Sequence, residues 1–177
     1  MPNTVTKSAR PLAEMRVLAS ELADALRQSC ERIEVAGSVR RQKPECGDIE
    51  VVAIPRFTSR PDLYGEGTRN NELWQVVDGL GVAYSKRGEK YRQFAWRGVQ
   101  IDLFTAARHN WGWILLVRTG SADFSRRMAV ALNAHGYTSR DGVVRRRDDS
   151  SATEETPEES DVFRLAGMEW VPPELRG

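Results

Sequence analysis

Cysteine is nearly absent from this chain, with Cys30 and Cys46 the only two in 177 residues. They belong to no CxxC pair and have no histidine at ligand spacing, so they build neither a disulfide framework nor a zinc site. That usage suits a reducing, cytoplasmic setting. Histidine is as scarce: His109 and His135 have no acid or nucleophile at a telling spacing, and neither is read as a general acid or base. Long hydrophobic runs are missing too. The longest, Trp111–Val117, has seven residues, far short of a bilayer span, and excludes a membrane helix. The N-terminus lacks the basic-then-apolar order of a signal peptide, because Lys7 and Arg10 lead into a charged amphipathic stretch. No internal repeat is visible.

What is present is charge. Charged residues make up 29% of the chain and apolar residues 40%, the balance of a soluble globular protein. The net charge of +1 hides an asymmetry. Residues 148–161 hold seven acids and no base, whereas residues 1–147 carry 24 Lys and Arg against 16 Asp and Glu, a net +8. A basic body of this kind suits a polyanion bound through phosphate contacts.

Apolar periodicity predicts a helix from about Pro11 to Arg27, with the proline in its first turn. A short strand over Ile33–Ala36 ends at Gly37-Ser38, and a second runs from Asp48 to Ile54. The polar stretch Arg56–Asn71 reads as a loop, and Glu72–Leu80 as a helix. Tyr91–Trp96 and Val99–Phe104 read as strands joined by a turn at Arg97-Gly98. Trp111–Val117 is apolar enough for a buried helix. Ser121 caps another that runs to about His135, followed by a hairpin over Thr138–Arg147. Ser150–Glu155 reads as a flexible loop. Thr156-Pro157-Glu158-Glu159 has the form of a capping box opening a last helix to about Leu165, closed by Gly167.

Asp48 and Glu50 stand two apart in a strand otherwise rich in Val and Ile, so both project to one face. Asp102 is a lone acid in the apolar strand Ile101-Asp102-Leu103-Phe104. If these strands are neighbours, three carboxylates converge and need a cation or proton among them. Hard oxygen ligands in that number suit Mg²⁺ shared with substrate phosphates, with Mn²⁺ the alternative. Two such ions can clamp the attacking and leaving oxygens of a phosphoryl transfer. Gly37-Ser38 follows a strand and opens a helix, a place where backbone N–H groups attract phosphate. Arg40 and Arg41 add guanidinium forks.

These residues resemble the signature of the nucleotidyltransferase superfamily, a Gly-Ser turn followed about ten residues on by Asp-x-Asp or Asp-x-Glu. Within it the chain is most similar to the family X DNA polymerases, the group of DNA polymerase beta. The resemblance rests on four ordered segments: Ala36–Arg41 through Gly47–Val52, Ile101–Leu103, Arg118–Phe124, and Asp161–Phe163 with Gly167 and Pro172–Arg176. It runs from about residue 33 to the end. It implies an α+β fold, with a nucleotidyltransferase palm of mixed sheet over residues 1–107. A small α+β, thumb-like nucleotide-binding subdomain follows over residues 108–177. Fewer than 40 residues precede Gly37, which gives the expectation of a minimal form without the family's lyase domain.

By the same resemblance Asp48, Glu50 and Asp102 bind two Mg²⁺ ions, with Asp102 beside the primer 3′-hydroxyl. Gly37, Ser38 and Arg41 hold the β- and γ-phosphates, Thr119-Gly120-Ser121 the sugar, and Phe124 lies near the nascent base pair. Candidate DNA phosphate contacts are Lys86, Arg87, Lys90 and Arg92, with Arg97 and Arg145–Arg147 behind them. The chain departs from the family at Glu50, where aspartate is usual, at Val39, where an aromatic stands, and at Val117-Arg118, in place of a Tyr-Phe pair. Gln100 replaces an arginine that often supports the third carboxylate, and Ala129 replaces an arginine that touches the template. The expected function is a monomeric DNA-directed DNA polymerase acting on primer-template or gapped DNA with nucleoside triphosphates, in repair or mobile-element replication. Alternatives are a template-independent or RNA- or protein-directed nucleotidyltransferase, and a catalytically weak nucleotide- or DNA-binding module.

Overall fold

The apolar spacing of Met15, Ala19, Leu22 and Leu26 buries one side of an N-terminal helix. That helix sets where everything before the functional residues must pack. The computed structural model describes residues 8–60, 68–149 and 151–177. In chain order it holds β1 (Arg10–Pro11), α1 (Leu12–Leu26), β2 (Cys30–Val35), α2 (Gly37–Arg40), β3 (Glu45–Cys46) and β4 (Ile49–Pro55). Next come β5 (Phe57–Arg60), β6 (Thr68–Asn71), α3 (Glu72–Gly79), β7 (Ala83–Arg87), β8 (Tyr91–Trp96) and β9 (Val99–Thr105). The C-terminal part holds α4 (Trp111–Thr119), α5 (Ala122–Ala134), β10 (Tyr137–Arg140), β11 (Val143–Arg146), β12 (Thr153–Glu154) and α6 (Glu159–Leu165). This is an α+β fold with a mixed sheet.

The principal sheet has five strands in the order β2-β4-β9-β8-β7. Only β4 and β9 run parallel; the other pairs are antiparallel. Alternation divides the central strands between two cores. Ile49, Val51, Ala53, Ile101 and Leu103 pack with α1 and α3. Val52, Ile54 and Phe104 face the other way and pack with Trp111 and Leu115 of α4. A third cluster joins α4, α5, β11 and α6, with Phe124, Met128, Leu132, Val144 and Phe163 at its centre. Gly112 is required where α4 meets the segment before α6, because a Cβ there would lie 2.1 Å from the Glu158 carbonyl oxygen. No helix among the described residues is long and apolar enough to cross a membrane.

Three local expectations change, and one strand, β7, has no counterpart in the sequence reading. The polar segment at 56–71 is not a loop at its ends: β5 and β6 pair antiparallel from Phe57↔Asn71 to Arg60↔Thr68. Their hairpin has no apolar alternation to betray it, and Arg69 stacks on Phe57 at 3.9 Å. The tip, 61–67, lies outside the described residues. Edge strand β7 is mostly exposed and so carries no periodic signal either. In the 150–155 stretch, β12 adds a third strand to the C-terminal hairpin. Finally, α6 is capped by Glu158 with Asp161, not by Thr156 with Glu159. The Thr156 backbone is bonded to His109 and Gly112, while the Glu159 carboxylate is drawn away by two arginines.

Candidate active site

The parallel register of β4 and β9 sets Glu50 directly opposite Asp102. Asp48 lies one residue before β4 begins. The Glu50 carboxyl is raised from 4.5 to about 7, first by burial, then by repulsion from Asp48 and from Asp102; Arg118 and Arg41 pull it partway back. Glu50 thus lies within electrostatic reach of both aspartates. Among the described residues neither Glu50 nor Asp102 has an ion pair, and no group of three acid, histidine or cysteine side chains stands close enough to hold a metal ion as it is. The donor set nevertheless fits a hard divalent ion, because buried oxygen ligands that repel one another gain most from a cation between them.

Asp102 is almost fully buried and is held by neutral donors. Tyr91 Oη and Gln93 Nε2 donate to its Oδ1 at 2.6 and 2.8 Å, and Gln100 Nε2 donates to Oδ2 at 3.0 Å. Burial and the Asp102 contact push the Tyr91 phenol well above its usual range. Its ring stacks on Phe104 with centroids 4.6 Å apart, and the Arg118 guanidinium covers the other aromatic at 3.8 Å.

Beside the carboxylates stands the turn into α2. Ala36 N donates to the Glu50 carbonyl at 2.8 Å, tying this turn to β4. Gly37 takes φ +60°, and a Cβ there would fall 2.1 Å from Glu50 Oε2, so glycine lets the turn lie against the carboxylate without strain. Ser38 Oγ is buried with no partner, a hydroxyl left free to bond a ligand oxygen. Arg41 donates to the Thr119 carbonyl while its Nε stays unpaired.

Arg40 joins this turn to the C-terminal part. It donates to Thr119 Oγ1 at 2.7 Å and forks onto both oxygens of Glu159 at 2.8 and 2.9 Å. The fully buried Arg176 takes the same carboxylate at 2.6 and 3.2 Å. Burial alone would raise the Glu159 carboxyl; the bonds from Arg40 and Arg176 outweigh it and hold the group below its usual range.

The remaining sequence-derived positions separate. Thr119 is buried, with its hydroxyl and carbonyl taken by Arg40 and Arg41. Ser121 caps α5 by accepting from Phe124 N, and its own N–H donates to the Arg176 carbonyl. Phe124 is buried against Phe163, so its ring supports α5 from beneath and offers no exposed surface. Arg87 and Arg92 are both bonded to Asp78, and Arg92 is largely buried over Trp74 at 4.2 Å. Lys86 and Lys90 stay exposed. A cleft of about 1230 Å³ opens between the β5–β6 hairpin, β8 and the β10–β11 turn, with Tyr91, Phe104, Arg118, Lys90 and Arg69 in its wall; none of the three carboxylates lines it.

Tyr91, Gln93, Arg118, Glu159 and Arg176 were not singled out as site residues by motif. A signal for Gln93 existed. A two-residue turn at Arg97-Gly98 pairs Trp96 with Val99, and counting outward pairs Gln93 with Asp102, as observed. For Glu159 and Arg176 there was none, because both act across the fold.

A mixed sheet with paired acids on its parallel strands, a Gly-Ser turn against one of them and a helical C-terminal unit define a protein of the polymerase beta fold. The comparisons agree. Residues 114–177 match the DNA polymerase beta thumb family. The chain is similar to polymerase beta of Leishmania infantum, solved as a ternary P/T complex, with 17% identity, 98% of this chain and 78% of that chain covered, and a TM-score of 0.76. The likeness extends over the whole fold, and the family match over its C-terminal third.

Proposed function

We propose that this protein is a DNA-directed DNA polymerase that adds a deoxynucleoside monophosphate from its triphosphate to a primer 3′-hydroxyl, in gap repair or mobile-element replication. The observation that carries the reading is the Glu50–Asp102 pairing across β4 and β9, set against a turn at Gly37 whose positive φ and close approach to Glu50 favour glycine. Asp48, Glu50 and Asp102 are the residues that would hold two divalent ions, Mg²⁺ or Mn²⁺, which when bound supply neutralisation of the charge that builds on the transferring phosphoryl group. Asp102 stands at the primer 3′-hydroxyl and assists loss of its proton. The 3′-oxygen bonds to the α-phosphorus, the α–β bridging bond breaks, and pyrophosphate leaves. Gly37 and Ser38 receive the β- and γ-phosphates, with the free Ser38 hydroxyl as donor. Arg41 contributes positive charge there from its place against Thr119. Residues 1–107 form the palm and 108–177 the nucleotide-binding subdomain, where Gly120 and Ser121 face the sugar and α5 faces the base pair. Lys86 and Lys90, with Arg87, contact DNA phosphates.

Primer extension on gapped DNA, open template and single strand, with each dNTP and NTP, tests the reading. Addition that follows the template is the expected result, and Asp102→Asn lowers it by at least 1000-fold while DNA affinity stays within about twofold. One-nucleotide addition regardless of template, or an active Asp102→Asn, refutes it.

A further inference from the structure

The bonds at Asp102 are arranged unequally, and that inequality has a chemical consequence. A carboxylate offers about four lone-pair directions, two on each oxygen. Both directions of Oδ1 are taken, by Tyr91 Oη at 2.6 Å and Gln93 Nε2 at 2.8 Å. Gln93 Nε2 also donates to Tyr91 Oη at 3.0 Å. The three groups therefore close a triangle in which Gln93 Nε2 faces both the phenol oxygen and Oδ1. Gln100 occupies one direction of Oδ2. One acceptor direction remains, on Oδ2.

We infer that Tyr91 and Gln93 are positioning residues for Asp102: they saturate one of its oxygens, so that it meets a divalent ion or a hydroxyl proton through Oδ2 alone. The inference rests on the reading of Asp102 proposed above. Two features of the fold hold the clamp in place. Gln93 sits directly opposite Asp102 in the β8–β9 register, and Tyr91 sits opposite Phe104, on whose ring it stacks. The second feature is charge. All three donors are neutral, so they orient the carboxylate without cancelling the charge that draws a cation, whereas an arginine would do both. Partners behind a ligand typically set 10- to 100-fold in metal affinity or activity.

Tyr91→Phe removes the hydroxyl and keeps the stack; Gln93→Met keeps the length and removes the amide. The full chain is titrated with Mn²⁺ alone, bound and free ion being separated by electron paramagnetic resonance, with melting temperature measured alongside. Each variant is expected to weaken Mn²⁺ binding about 10-fold, with a melting temperature near wild type. In primer extension each lowers kcat by about 10-fold or more at a dNTP KM within twofold. The double variant falls short of the product of the two, since both act on one oxygen. Mn²⁺ affinity within twofold of wild type in the folded variants overturns the inference, as does a wild-type chain that takes up no Mn²⁺. Should Tyr91→Phe fail to fold, Gln93→Met decides alone. A wild-type chain that binds Mn²⁺ through the clamp yet extends no primer refutes the polymerase reading and leaves the clamp standing. Extension by a wild type whose clamp variants bind Mn²⁺ normally does the reverse.

Discussion

Replacing Glu50 by glutamine should stabilise the metal-free protein, and only above acid pH. Burial with repulsion from Asp48 and Asp102 raises this carboxyl from 4.5 to about 7. Between those two pH values the folded chain holds a proton that the unfolded chain has released. Stability therefore falls as pH rises through that window and levels off above it. At about 1.4 kcal/mol for each pH unit, the loss is about 3 kcal/mol. Below pH 4.5 both states carry the proton, and Glu50 and its amide isostere are alike. Thermal unfolding in EDTA should show Glu50→Gln melting about 6–12 °C above wild type at pH 8, on the usual scale for a chain of this size. The gap should nearly close at pH 4.5. Mg²⁺ should narrow it at pH 8, because the cation favours the ionised group that the amide lacks. A difference independent of pH, or a glutamine variant less stable at pH 8, would refute the account of the three charges. The same variant should lose primer extension, since stability gained by removing a functional charge costs activity.

Three further outcomes follow from the site. Gly37→Ala forces a Cβ onto Glu50 Oε2 at a left-handed φ; urea unfolding should show a loss of about 1–3 kcal/mol, and an unchanged midpoint would contradict the close approach. Glu159→Ala strands the buried Arg176 and frees Arg40, with an expected cost of about 3–5 kcal/mol in the same assay; a cost below about 1 kcal/mol would mean that the triad holds nothing. DNA affinity should fall steeply and linearly with the logarithm of salt concentration, as phosphate contacts by Lys86, Lys90 and their neighbours require. A flat response in a filter-binding or anisotropy titration would reject the basic body as a DNA surface.

Local rules made most of the elements legible before any coordinates. The apolar period of α1, the Ser121 cap of α5 and the Arg97-Gly98 turn between β8 and β9 each appear where sequence places them, because each is settled by contacts within a few residues. The β5–β6 hairpin and β7 escaped notice since an exposed strand has no face to bury and so no alternation to read. The start of α6 was misjudged for another reason. Thr156-Pro157-Glu158-Glu159 satisfies the local capping rule, but the Glu159 carboxylate is worth more to two arginines 119 and 17 residues away than to the helix end.

The candidate site divides along the same line. Sequence by itself determined which groups are candidates for the chemistry: Asp48, Glu50 and Asp102, the Gly37-Ser38 turn and the paired arginines, all recognisable by residue type and spacing along single segments. Tertiary structure alone decided that β4 and β9 lie side by side and parallel, so that Glu50 meets Asp102. It also decided that Arg40 and Arg41 turn toward Thr119 and that Tyr91 and Gln93 saturate one oxygen of Asp102. Strand order and side-chain partnership depend on how the whole chain shares out its buried surface and its few unpaired charges, and no window along the chain contains that balance.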